Sequence, residues 1–279
     1  MNMTPSSGFG PILGATLIAP RVQPLIPRYI DLGLEAASTA PNWGHLPDPI
    51  ESRVTGSVYL GPPGSSPWLR LAEIPDAPHA DRFGATGWFS LEVATCDVQR
   101  LANHIGSLAG FDILSAPAPL DVDGRIIAMQ VTGPAGELYY FTEIGGSVPP
   151  FELPTGQRLV DQLFIAVQTT LDRAASVAFW EQLAGRRAAL FDTRIGVLNR
   201  GLGLPEDSRL PVGVVQFAGQ TLIEIDELPS GRVPDDDAPT GGIAMVSLQG
   251  EASGRVMRGP AGEWIECLGQ SDDTPQPRE

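Results

Sequence analysis

Two glutamates interrupt apolar strands of this chain: Glu224 in "TLIEIDELP" (221–229) and Glu266 in "GPAGEWIECLG" (259–269). A carboxylate at strand spacing among Leu, Ile and Trp is costly to bury unless it is paired, metal-bound or poised as an acid or base. In a site open to water the same acids would carry no chemistry. Arg70 in "PWLRLAEIP" (67–75) raises the same question with the opposite charge. Turned inward, its guanidinium could clamp a carboxylate, phosphate or enolate oxygen; it could equally close a structural ion pair. The tetrapeptide GPAG occurs twice, at 133–136 and 259–262, and each copy opens an apolar run. Where the second run carries Glu266 the first carries Tyr140, a candidate for a pocket wall.

Composition narrows the chemistry. The 279 residues are enough for two modules of ordinary size, and 42% hydrophobic content is that of a soluble globular protein. No apolar run reaches the roughly 18 residues of a membrane span, and no basic stretch ahead of an apolar core suggests a signal peptide. Two cysteines, Cys96 and Cys267, are too few for a disulfide framework, so both are read as reduced and the protein as cytoplasmic. The net charge is −15 and no lysine occurs. An acidic chain repels phosphate backbones, and without lysine neither Schiff-base nor P-loop chemistry is available. The charge could draw in a cationic small molecule; solubility alone also accounts for it.

The elements that must position these residues repeat. "ILGATLIA" (12–19) matches "VDQLFIAV" (160–167), and "PWLRLAEIP" matches "TLIEIDELP", each about 150 residues later. Each half repeats again internally, as a strand, a helix and about three further strands. Asp97 and Asp172 are placed to cap the second and third helices, with Gly110 and Gly185 to stop them. Pro24 and Pro27 fit the first helix only in its opening turn. The fourth unit keeps its first strand, "GIAMVSLQ" (242–249), but too few residues separate Gln249 from Met257 for a helix and its loops. The expected organisation is α+β: four βαβββ-type units in two tandem modules, 11–146 and 159–270, with the fourth unit truncated. Residues 147–158 form the linker, and 1–10 and 271–279 are flexible tails.

Four such units with GPxG turns before a final strand, and the segment "VDQLFIAVQTTLDRAASVAFWEQLAG", resemble the vicinal oxygen chelate superfamily. That superfamily groups glyoxalase I, bleomycin-resistance proteins, fosfomycin-resistance enzymes and extradiol dioxygenases. The resemblance spans residues 11 to 270 and implies that units pair within each half into eight-stranded cups. It further implies metal ligands on the first and last strands of units. Carried over, these positions fall on Gly14, Arg70, Ser90 and Tyr140 in the N-terminal half, a poor donor set. In the C-terminal half they fall on Gln162, Glu224 and Glu266, with the fourth near Ala244 or Met245. Gln162, Glu224 and Glu266 are thus the implied ligands of a divalent ion, Zn, Ni, Mn or Mg.

The activity implied is that of a lyase or isomerase. Glu266 or Glu224 moves a proton, Gln162 binds an oxygen, and Arg70, Ser90 and Tyr140 contact the substrate. The alternative is a non-catalytic protein that sequesters a drug or metabolite. The partner is a small molecule, not nucleic acid or membrane, and the chain is a monomer or homodimer. His45, His79 and His104 fall on no ligand position, which argues against two-His-one-carboxylate iron chemistry; His104 reads as a solvated helix residue. Trp68 and Trp264 neighbour ligand positions, and alternation is expected to send them to the opposite face. Glu143 is expected opposite Tyr140. "NRGLGLP" (199–205) reads as a turn, or a lid over the second cup.

Overall fold

Runs of β-branched and aliphatic residues, bounded by Gly, Pro and Asp, set the strands. A computed structural model describes residues 9–269 apart from 42, 45, 79–81, 121–122, 235–240 and 251–254. The first unit comprises β1 (Ile12–Ala19), α1 (Ile26–Leu32), β2 (Glu35–Ala36), α2 (Asp48–Glu51), β3 (Gly56–Gly61) and β4 (Leu69–Glu73). The second comprises β5 (Gly87–Ala94), α3 (Val98–Ile105), β6 (Asp112–Leu120), β7 (Asp123–Thr132) and β8 (Leu138–Ile144). The third comprises β9 (Leu163–Thr170), α4 (Arg173–Ala184), β10 (Ala189–Thr193), α5 (Gly196–Leu202), β11 (Leu210–Gln216) and β12 (Leu222–Glu227). The fourth has β13 (Gly242–Gln249), β14 (Arg255–Arg258) and β15 (Trp264–Leu268). Residues 250–254 separate β13 from β14.

The helix ends follow side-chain chemistry. Asp97 and Asp172 are extended N-caps whose carboxylates accept from Arg100 N and Ala175 N. Gly185 closes α4 in the left-handed conformation, but α3 ends sooner than expected, at Gly106 rather than Gly110. Pro27 lies in the first turn of α1, and Pro24 precedes its N-cap, Leu25. Phe9 and Gly10, assigned to the tail, are tied by backbone hydrogen bonds to Leu183 and Gln249. The remainder of both tails, with His45 and His79, lies outside the described residues.

The strands form an α+β architecture of two sheets, ordered β14-β15-β13-β1-β4-β3-β2 and β10-β11-β12-β9-β5-β8-β7-β6. The pairing expected inside each half is not what forms. Antiparallel β1–β13 joins the first unit to the fourth, and antiparallel β5–β9 joins the second to the third. Alternation fixes which face of a strand is apolar but not which strand becomes its neighbour. The inner units therefore share one cup, and the outer units bracket them with the other. Between the sheets Leu17, Leu71 and Val246 meet Leu91, Phe141 and Ile223, joined by helix residues Tyr29, Leu101, Ile105 and Trp180. Opposite faces of the same strands line the two cups.

The duplicated turn is a pentapeptide, GPAGE. In each copy the first Gly N–H donates to the Glu carbonyl at 2.8 Å, and the Glu side chain folds back onto the Ala N–H at 2.9 Å. Gly136 and Gly262 take φ of 85° and 87°, a region that L residues with a Cβ occupy at a cost. Gly136→Ala and Gly262→Ala should each lower stability by about 1–2 kcal/mol in urea denaturation. The second should cost more, because a Cβ at Gly262 would meet Val233 and Arg258 side chains at 3.0–3.1 Å.

Candidate functional site

In every unit the last strand lies parallel beside the first: β4 with β1, β8 with β5, β12 with β9 and β15 with β13. That register brings one inward position from each strand of each pair to the floor of a cup. In the seven-stranded sheet these are Thr16, Arg70, Ser247 and Glu266, where Thr16 pairs with Arg70 and Ser247 with Glu266. Arg70 donates from Nε to Thr16 Oγ1 and from Nη1 to the Gly44 carbonyl, both at 2.8 Å, and its Nη2 faces Glu266 Oε2 at 3.6 Å. Ser247 Oγ donates to the same Glu266 oxygen at 2.5 Å. The Trp43 ring lies 5.5 Å from the Arg70 guanidinium, and it occupies the space that a Cβ on Gly14 would need. Ile18, Leu46, Ile50, Ala72, Ile74 and Met245 pack the rest of this cup. Its two buried charges face one another, although Arg70 Nη2 and Glu266 Oε1 have no hydrogen-bond partner among the described residues.

The eight-stranded cup is built differently. Glu224 and Asp226 alternate with Ile223 and Ile225, which turn to the core between the sheets, so the two acids face the cup. Across the sheet Glu224 pairs with Val167, Val167 with Ser90, and Glu92 with Tyr140. Glu92 accepts from Thr142 Oγ1 at 2.5 Å. Burial pushes the Glu92 carboxyl up to about 8, helped by the charge of Glu224. Burial likewise raises Glu224 to about 7, and Asp226, hydrogen-bonded to Glu224, is raised well above the carboxylate range. Among the described residues, three carboxyls thus share one apolar floor with no cation between them to offset their charge. Ser90 Oγ and Asp226 Oδ1 are buried there without a hydrogen-bond partner.

Above this floor stands Tyr140, whose hydroxyl accepts from Gln130 Nε2 at 3.1 Å. Burial and the charges of Asp226, Glu224 and Glu92 raise its phenol, while Arg200 opposes them. Its ring lines the same cavity as Arg200. That cavity, of about 180 Å³, has Ser115, Ala118, Ala128, Gln130, Arg194 and Arg200 among its walls. The segment expected as a turn or lid supplies Arg200 from α5.

The sequence-derived candidates divide between the cups. Arg70 and Glu266 meet in one; Ser90, Tyr140 and Glu224 meet in the other. Gln162 joins neither: it precedes β9 and is exposed, and its carbonyl accepts from Ala94 N. The implied ligand set Gln162, Glu224 and Glu266 is therefore dispersed, because its members stand on different sheets or outside them. Among the described residues no group of three His, Cys, Asp or Glu side chains could hold a metal ion. In the seven-stranded cup a guanidinium takes one of the four positions, which does not fit a divalent cation. Trp264 also needs correction. It lies two residues from Glu266, shares its face and packs against the Ile18–Met245 cluster. Trp68 does turn away, donating to the Asp161 carbonyl at 2.9 Å. Glu143 sits opposite Tyr140 as expected and accepts from Val98 N at the start of α3. His104 is half-buried and contacts the Asp31 carbonyl at 2.8 Å. Glu92, Asp226 and Thr142 were missed, although two-residue steps from Ser90, Glu224 and Tyr140 lead straight to them.

These arrangements set two expected outcomes. Arg70→Met should cost about 3–5 kcal/mol in urea unfolding, because Glu266 is left buried and unpaired, and Arg70→Met/Glu266→Leu should recover most of it. In the other cup the raised carboxyls hold protons in the folded state that the unfolded chain releases near 4.5. Stability should then be greatest below that value and fall as pH rises through about 7 to 8, by on the order of 3 kcal/mol. Glu92→Gln should flatten the slope.

No family model and no curated protein sequence matches the chain. Solved structures do. Glyoxalase I from Zea mays superimposes with a TM-score of 0.59 at 15% identity, covering 93% of this chain and 92% of that one. A single-site variant of the same maize enzyme gives 0.61 at 14%, covering 93% and 92%. A putative dioxygenase from Bacillus subtilis gives 0.56 at 12%, covering 95% of this chain and 86% of that one. With paired cups, parallel first and last strands, and a likeness running almost end to end, the chain has the vicinal oxygen chelate fold in its tandem form.

Proposed function

We propose that the eight-stranded cup binds a small oxygenated molecule and moves a proton on it, as a lyase or isomerase without a metal. The observation that carries this reading is the Glu92–Glu224–Asp226 cluster, whose carboxyls burial raises, next to Tyr140, which itself lines a cavity. A carboxyl whose ionisation lies near the working pH is suited to both taking and returning a proton. Glu224, only half-buried, is the base: its carboxylate takes a proton from a C–H next to a carbonyl. The electron pair moves onto the carbonyl oxygen, which receives a hydrogen bond from a protonated neighbour, Glu92 or Tyr140. Return of the proton to carbon, or departure of a β-substituent, completes an isomerisation or a lyase step without any oxidant. Glu266 is a weaker base candidate, because Arg70 and Ser247 already occupy its carboxylate.

Solvent deuterium incorporation into a small α-carbonyl or α-hydroxy compound tests this. The exchange rate should rise as pH passes about 7 and Glu224 ionises, then fall above about 8 as Glu92 loses its proton. Glu224→Gln should lower it by about 100-fold or more, whereas EDTA and Glu266→Gln in folded protein should leave it unchanged. Binding that survives Glu224→Gln with no exchange in wild-type protein would instead identify a sequestering protein.

A further inference from the structure

The cavity beside Tyr140 carries charge in its walls: Arg200 on α5, Arg194 and Glu206 line it together with the tyrosine ring. Arg200 is tied to a neighbouring strand. Its Nη2 donates to Ser115 Oγ on β6 at 3.2 Å, and a Cβ on Gly196 would stand 3.4 Å from its Nη1. Gly201, next in the helix, is pressed against Phe83 so closely that a Cβ would lie 2.2 Å from the ring. The turn of helix that aims the guanidinium is therefore fixed. Its apolar walls are short side chains: Ala116, Ala118, Pro119, Leu120 and Ala128. At about 180 Å³ the cavity is smaller than the roughly 300 Å³ where drug-sized sites begin.

A guanidinium, the Tyr140 hydroxyl and short apolar walls around one small cavity select a short molecule with unlike ends. We propose that the ligand is a small organic acid whose carboxylate pairs with Arg200 and whose carbonyl or hydroxyl oxygen points inward to Tyr140. The assignment rests on the cup being the reactive site, and it adds the class of molecule that enters. A planar guanidinium matches a carboxylate through two parallel hydrogen bonds, and an amide of the same shape forfeits the charge-assisted pair. Arg194 and Glu206, of opposite charge, line the same cavity.

Calorimetric titration of wild-type protein with lactate, mandelate and phenylpyruvate, each beside its amide, tests the assignment. At least one acid should bind about tenfold or more tightly than its amide, and its affinity should fall with added salt. Arg200→Met should erase the acid's advantage, Arg200→Lys should keep part of it, and circular dichroism should confirm that both variants are folded. Equal affinity for acid and amide, an unchanged preference in Arg200→Met, or binding by none of the three acids would overturn it. An acid that binds through Arg200 but exchanges no proton would support this ligand class while sinking the proton-transfer reading.

Discussion

The parallel contact between the first and last strand of each unit is the constraint on which the molecule turns. A parallel pair cannot be closed by a tight turn, so the chain must leave the sheet and return between the two strands. In the first three units helices and outer strands make that excursion; in the fourth a short antiparallel β14 suffices. Once the pair is formed, alternation decides which residues face inward, and joining two units through their first strands gathers those residues at one floor. The four floor positions of each cup follow from backbone register before any side-chain preference acts.

The same scaffold reaches opposite electrostatic solutions in its two cups. In the seven-stranded cup Arg70 compensates Glu266, hydroxyls of Thr16 and Ser247 take further hydrogen bonds, and Trp43 covers the pair. Removing either partner of such a buried pair leaves the other charge without compensation. In the eight-stranded cup three carboxyls meet no compensating cation among the described residues of the floor. Burial and mutual repulsion keep protons on them, so the floor offers hydrogen-bond donors and acceptors near neutral pH. Both cups draw on both halves of the chain. Ser90 and Tyr140 come from the N-terminal half and Glu224 from the C-terminal half, just as Arg70 comes from the first and Glu266 from the second.

Much of the secondary structure was legible because it is written locally. "LYYFTEI" and "GIAMVSLQ" coincide with β8 and β13, and the Asp97 and Asp172 caps are visible as single residues. The inward placement of Glu224 and Glu266 follows from alternation alone. The partnership of units was not legible, since β5 presents an edge as suitable for β1 as for β9, and periodicity does not distinguish them. That ambiguity is why Glu224 and Glu266 read as ligands of one ion when they stand in separate sheets. Glu92 was hidden for a different reason: "SLEV" reads as an ordinary half-exposed strand until β9 and β8 close over it.

A raised carboxyl is by itself a weak guide to chemistry, and the duplicated turn demonstrates it. Burial raises Glu137, and raises Glu263 to about 7, yet both belong to GPAGE turns. Glu137 gives one oxygen to Tyr29 Oη at 2.6 Å and the other to Ala135 N; Glu263 folds onto Ala261 N in the same way. Their turn glycines make room for that return, since a Cβ on Gly133 or Gly259 would overlap the carboxyl at 1.8 and 2.0 Å. These acids also border a cavity of about 100 Å³ between the sheets, so proximity to empty space does not separate the classes either. What separates them is what the carboxyl is bonded to. Glu137 and Glu263 are fixed by the backbone of their own turns, and moving a proton on or off them would loosen those turns. Glu92, Glu224 and Asp226 bond chiefly to other side chains, Thr142 and one another. Such a cluster can redistribute a proton without unfastening a strand, and that freedom is what acid–base work requires.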